Sequence, residues 1–293
     1  MTDNNNDEKS TSLPPTDMLY MTYEGNWLEE CTATVLAVES PSTDSSKNAD
    51  DDNNANKQCS IVLDRTVLHA QGGGQPTDKG ILRCRPNEQK TSDISVHKVT
   101  MDRETGITSH AVSVTDDTAL PVAGDTVDVL VDLPTRRILS ECHSAGHVVD
   151  SAMAMAGKFL KPSKAYHFLE GPYVEYEGSI PPTEKEALLE KLQSAFCQLV
   201  DQDIDTDIQL MNQADADALC NRQAQNFDMN VFADKRTGQV RVVTVAGYPC
   251  PCGGTHIRST KDLKENDWGI VGLKSKKGVV RVKYGQNANQ KKK

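Results

Sequence analysis

Long apolar runs are missing from this sequence of 293 residues. Nothing in it approaches the roughly 18 consecutive apolar residues of a membrane-crossing helix, so a transmembrane helix is ruled out and no membrane partner is expected. Aromatics are scarce at 5%, and hydrophobic residues reach only 37%. A chain of this length still buries a core, as one large domain or two modest ones. The opening residues MTDNNNDEKS lack the basic start and apolar centre of a secretory signal and the Arg-rich character of a mitochondrial one. No leader is therefore expected, and a cytoplasmic location is. The cysteines are scattered, so no disulfide framework is expected and most should be small buried hydrophobes. Basic charge is also in deficit, with 32 Lys and Arg against 42 Asp and Glu. That balance excludes indiscriminate nucleic-acid binding. It is uneven, however: residues 1–60 hold three basic and twelve acidic residues, and 257–293 hold eleven and three. The chain has an acidic head and a basic end.

Residues 1–17, polar with Pro14 and Pro15, are expected to be disordered. From Met18 the chain reads as β, with short strands at 30–38, 60–64, 80–83, 94–99 and 126–132 separated by turn residues. These predict a small β-barrel or sandwich over 18–133, interrupted by a solvated insertion at 39–57 that has nothing to bury. The pattern changes at Pro134. Apolar residues at helical spacing predict helices over 136–155, 183–200 (capped by Thr183) and 214–222. Strands at 173–176, 204–210, 240–245, 269–275 and 278–284 fill the rest. The expected fold class is α+β: a small N-terminal β-barrel-like domain, then an α+β domain over 134–286, then a basic tail at 287–293.

Three short segments carry the chemistry. His143 and His147 lie four apart on the first predicted helix, so both imidazoles share one face. Cys252-Gly-Gly-Thr-His256 offers a thiolate and a third imidazole from a tight loop. Together they form a plausible tetrahedral zinc set drawn from remote parts of one chain. Cys250 is the competing thiol. Ser144 follows His143 where a zinc protease of the H-E-x-x-H type carries its Glu base, so that chemistry is excluded. The third segment, GGGQPTDKG over 72–80, has no Lys-Ser or Lys-Thr and is not a nucleotide-binding loop. Its glycines allow close backbone approach.

GGGQPTDKG, HSAGH and CGGTH, in this order and at these intervals, resemble the freestanding alanyl-tRNA editing proteins of the AlaX type. The resemblance runs over roughly 20–285 and includes the stretches 164–176 and 242–247. It implies hydrolysis of mischarged aminoacyl-tRNA, chiefly seryl-tRNA(Ala), in trans on tRNA charged by another enzyme. It also implies that the α+β domain over 134–286 is a zinc-containing editing domain, with zinc held by His143, His147, Cys252 and His256. One departure stands out: the usual HTATH or HTALH is here HSAGH, with Ser144 for Thr and a bare Gly146. That glycine is expected to remove a wall of the site and loosen the choice of serine over alanine.

Ser144 and Thr255 are candidates for bonding the substrate hydroxyl, or for helix and loop packing. Gln75 either reaches the site or supports the domain junction. Lys274, Lys276, Lys277 and Arg281, with Arg258 and Lys283 beside them, are candidate phosphate contacts to mischarged tRNA(Ala), or a solvated face. No obligate protein partner is inferred. A zinc-stabilised RNA-binding module without catalysis, or a deacylase for another aminoacyl ester, remain the alternatives.

Overall fold

The computed structural model describes residues 13–39, 57–87, 90–115, 118–222 and 227–288. The insertion expected at 39–57 and the tail expected at 287–293 fall, but for their end residues, outside the described residues. Two very short strands, β1 (Asp17–Met18) and β4 (Arg65–Thr66), pair in parallel. Six longer ones close an antiparallel barrel: β2 (Glu30–Glu39), β3 (Lys57–Leu63), β5 (Gly80–Asn87), β6 (Lys90–Met101), β7 (Thr108–Val114) and β8 (Thr126–Val131), in the order β2-β3-β7-β6-β5-β8. Their inward residues, Leu63, Leu82, Ile94, Val112 and Val129 among them, fill the barrel.

The expected disorder of 1–17 does not extend over its last residues. Thr16 is fully buried, and its hydroxyl donates to the Leu63 carbonyl and accepts from the Thr108 amide. After β1 the chain does not run on as strand. Leu19–Met21 and Gly25–Trp27 are 3-10 turns, and the barrel starts at Glu30.

Helix α1 (Leu133–Met155) follows the barrel directly. Asp132 caps it by accepting from the Thr135 amide and hydroxyl, and Pro134 sits in its first turn, where no amide partner is needed. From Leu139 to Met153 every residue of α1 is buried. The helix is the central post of the second half. Around it stand β9 (Lys161–Tyr166), β10 (Tyr173–Glu177), α2 (Lys185–Asp201), β11 (Asp207–Met211), α3 (Gln213–Cys220), α4 (Met229–Phe232), β12 (Val240–Val245), β13 (Tyr248–Pro251), β14 (Gly269–Lys276) and β15 (Val279–Gly285). They form two antiparallel sheets, β14-β15-β10-β9 and β11-β12-β13. Val148, Met153, Leu192, Phe196, Val280 and Val282 share one core between α1, α2 and the four-stranded sheet. Thr183 does not cap α2: the chain leaves Pro181 and Pro182 through a turn, and the helix begins two residues later without a side-chain cap.

The two halves are locked at the start of α1. The Arg136 guanidinium donates to Asp78 and to the Val67 carbonyl, and Asp78 also accepts from the His69 amide. Arg136 and Asp78 are both buried. The pair fixes the far end of the GGGQPTDKG segment against the helix that carries His143 and His147. Among the described residues, no helix is long and apolar enough to cross a membrane.

Candidate metal centre

His143 and His147 lie one turn apart on α1, with rings stacked at 5.2 Å. The loop after β13 brings Cys252 and His256 to the same face. Ligand atoms of the four residues all lie within 4.8 Å of one another. Cys252 Sγ is 3.4 Å from His143 Nε2 and 3.4 Å from His256 Nε2. The loop comes this close because residue 254 is glycine: a Cβ there would fall 2.1 Å from His143 Cε1.

Burial, reinforced by the neighbouring imidazoles, drives His143 and His256 well below the usual histidine range. Burial takes His147 down to about 4, with the Arg241 charge adding to the effect. All three imidazoles are thus neutral at pH 7, the state in which they bind metal. Burial raises the Cys252 thiol, and the Arg241 guanidinium opposes that rise. Three neutral imidazoles and one thiol suit zinc. His147 Nδ1 is buried without a hydrogen-bond partner among the described residues, a cost that a bound ion would relieve if it took that nitrogen.

Each ligand is held from behind. Gln75 Oε1 accepts from His143 Nδ1 at 2.6 Å and from the Thr255 amide at 3.0 Å. An amide oxygen can only accept, so Nδ1 carries the proton and Nε2 keeps its lone pair toward the thiol. Gln75 Nε2 donates to the Thr255 hydroxyl, which also bonds Ser140. Ser144 Oγ lies 3.1 Å from His256 Nδ1 and accepts from the Ile257 amide. Gln75, Ser144 and Thr255 are all fully buried. Thus Gln75 both crosses the junction and reaches the site, while the Ser144 hydroxyl is engaged with His256 and the Ile257 amide and the Thr255 hydroxyl with Gln75 and Ser140.

Four residues absent from the sequence-based site complete it. Arg241, buried on β12, donates to the carbonyls of Cys252 and Gly254 and to that of Met21. Asn26 brackets the backbone of His256, donating to its carbonyl and accepting from its amide, and Trp27 donates to the same carbonyl. His167 stacks on His143 with ring centroids 4.2 Å apart, and its Nδ1 meets the Tyr284 hydroxyl at 2.5 Å. A Cβ at residue 146 would fall 2.4 Å from His167 Cε1. The space opened by the bare glycine is therefore filled by an imidazole, and the expected missing wall is present. Only the family-like stretch 164–176 flagged His167 in the sequence.

A second group, His147, Asp150 and Cys250, shares His147 with the first. Asp150 accepts from the Tyr176 hydroxyl, and its burial raises its carboxyl to about 7. Cys250 is buried here, facing Asp150, and is not in the four-residue cluster.

The basic candidates part company. Lys274, Lys276 and Lys277 are exposed on the β14–β15 hairpin. Arg281 pairs with Glu175 and lies over the Tyr173 ring, 4.0 Å from its centroid. Arg258 lies over Trp27.

Two family models match the chain. One, tRNA synthetases class II (A), covers residues 2–134, whose described part forms the barrel and its entry. The other, the threonyl and alanyl tRNA synthetase second additional domain, covers residues 240–283, which carry Arg241, Cys252 and His256. Curated alanine–tRNA ligases are similar over most of the chain. That of Mesoplasma florum is 29% identical over 239 residues, 78% of this chain and 24% of the ligase. That of Halobacterium salinarum is 26% identical over 265 residues, 89% of this chain and 25% of the ligase. Fold and site thus define a two-part barrel and α+β module with a buried His/Cys cluster. The chain is a relative of the editing region of alanyl-tRNA synthetase. It spans about a quarter of the length of the curated ligases it matches.

Proposed function

We propose that the chain hydrolyses mischarged aminoacyl-tRNA in trans, seryl-tRNA(Ala) above all, at a zinc ion held by His143, His147, Cys252 and His256. The observation that carries this reading is the convergence of those four donors within 4.8 Å, in a relative of an editing region. When bound, zinc supplies a Lewis acid for the ester or its attacking water, or a fixed anchor for the substrate. Water adds to the ester carbonyl, the bond to the ribose oxygen breaks, and serine and free tRNA leave.

The chain's own residues prepare this centre. Gln75 and Ser144 orient two of the imidazoles, and Arg241 and Asn26 fix the loop that brings Cys252 and His256. His167 closes the space above Gly146. A site that bonds the serine hydroxyl discriminates strongly against an amino acid lacking it. The test is the time course of serine and alanine release from seryl-tRNA(Ala) and alanyl-tRNA(Ala). Serine should leave faster by at least about a hundredfold. Equal rates, or none on either substrate, would count against the reading.

A further inference from the structure

The outer face of the β14-β15-β10-β9 sheet carries an ordered pattern. Strand register sets its side chains in cross-strand rows. One row runs Gly272, Lys283, Tyr173, Tyr166, and the next runs Lys274, Arg281, Glu175, Lys164. A third places Lys276, Glu177 and Lys161 on the same face. Tyr166 is sandwiched between two other rings: its ring stacks on Tyr173 at 5.4 Å and 19°, and on Phe168 at 4.6 Å and 15°. All three aromatics are half-exposed, whereas the inward residues Val174, Val280 and Val282 are buried against α1 and α2. Gly272 projects nothing at the end of the aromatic row.

Six basic residues meet two acidic ones on this face, in a chain whose net charge is −10. Positive charge is concentrated where flat rings are presented together. Aromatic planes interleaved with Lys and Arg are the means by which proteins hold unpaired nucleotides: bases stack on the rings and phosphates meet the cations. A duplex hides its base faces and uses only the charges.

We propose that this face binds single-stranded RNA, with an unpaired base stacked on Phe168, the end of the three-ring stack away from Arg281, and phosphates on Lys164, Lys274 and Lys283. Its occupant is the unpaired 3′ end of the substrate tRNA; this identification rests on the editing reading above. Tyr166 and Phe168 flank His167, whose ring stacks on His143, so the platform lies at the rim of the metal centre.

The test is binding of a short single-stranded RNA carrying ethenoadenosine, with no amino acid attached, to the full chain. Stacking on the platform should change the fluorescence. Tyr166→Leu combined with Phe168→Leu should weaken binding about tenfold. Lys164→Glu combined with Lys283→Glu keeps the rings and should weaken binding with a shallower salt dependence. Zinc content and thermal stability, read on the same samples, show that each variant is folded. Binding unchanged in both variants, or duplex RNA bound as tightly as single strands, overturns the platform. Because the probe carries no ester, the outcomes separate. A chain that binds the probe through these residues but hydrolyses nothing retains the platform and loses the editing reading. A chain that edits with unaltered probe binding in both variants does the reverse.

Discussion

The imidazole of His167 occupies the place that a side chain on residue 146 would need: a Cβ built on Gly146 lies 2.4 Å from His167 Cε1. Tyr284, whose hydroxyl bonds His167, stands 2.9 Å from the same point. The glycine and the histidine are two halves of one wall. Gly146→Ala should raise helix propensity by up to about 1 kcal/mol. The clash should outweigh that gain and lower stability by about 1–3 kcal/mol in chemical denaturation. Adding His167→Ala should recover part of the loss, because the two changes share one contact. A Gly146→Ala protein as stable as the original would show that the wall yields freely.

Arg241 is the main tie between the β12 strand and the Cys252 loop. Its guanidinium serves the Cys252 and Gly254 carbonyls together and places a positive charge near the thiol. Arg241→Met should lower zinc affinity by about 10–100-fold, measured by competition with a chelator. Arg241→Lys should not restore it, since an ammonium lacks the planar guanidinium whose Nη1 serves both loop carbonyls while Nε holds the Met21 carbonyl. Unchanged affinity in the Met variant would remove Arg241 from the account.

The barrel carries its own acid sensitivity. His110 is fully buried, bonded to the Ile61 carbonyl and the Thr66 hydroxyl, and burial lowers it to about 4 from the usual 6.5. The unfolded chain therefore binds a proton between these values while the folded chain does not. This group's contribution is present in full above pH 6.5 and is lost as the pH falls toward 4. The loss amounts to about 3 kcal/mol. Denaturation curves at pH 7 and near pH 4 should show the gap between the original and His110→Gln narrowing by up to that amount. A gap independent of pH would contradict it.

Much of this fold is legible in the residues. The β12 and β15 strands show as runs of valine, and α1 is marked by Pro134 and helical spacing. The metal ligands stand out because His143 and His147, and Cys252 and His256, are each four apart in sequence. What escapes does so for physical reasons. β7 points Thr108, His110, Val112 and Val114 inward, and two polar members disguise the alternation. β9 and β13 are edge strands that tolerate proline, with Pro162 in one and Pro249 and Pro251 in the other. Asn26 and Arg241 lie 230 and 13 residues from the backbone groups they hold in the His256 loop. Each looks in sequence like an ordinary polar residue. Their role exists only once the 3-10 turns before the barrel have packed on the loop of the second half.

The central claim is that the four-donor centre, loaded with zinc, carries out the hydrolysis. It is tested most directly by titrating zinc into the metal-free chain while following serine release from seryl-tRNA(Ala). The account predicts that activity rises in proportion to bound zinc and saturates near one ion per chain. It predicts that Cys252→Ser and His147→Ala bind and hydrolyse poorly over the same range. Full serine release from a chain stripped of metal, or from both variants, would contradict it.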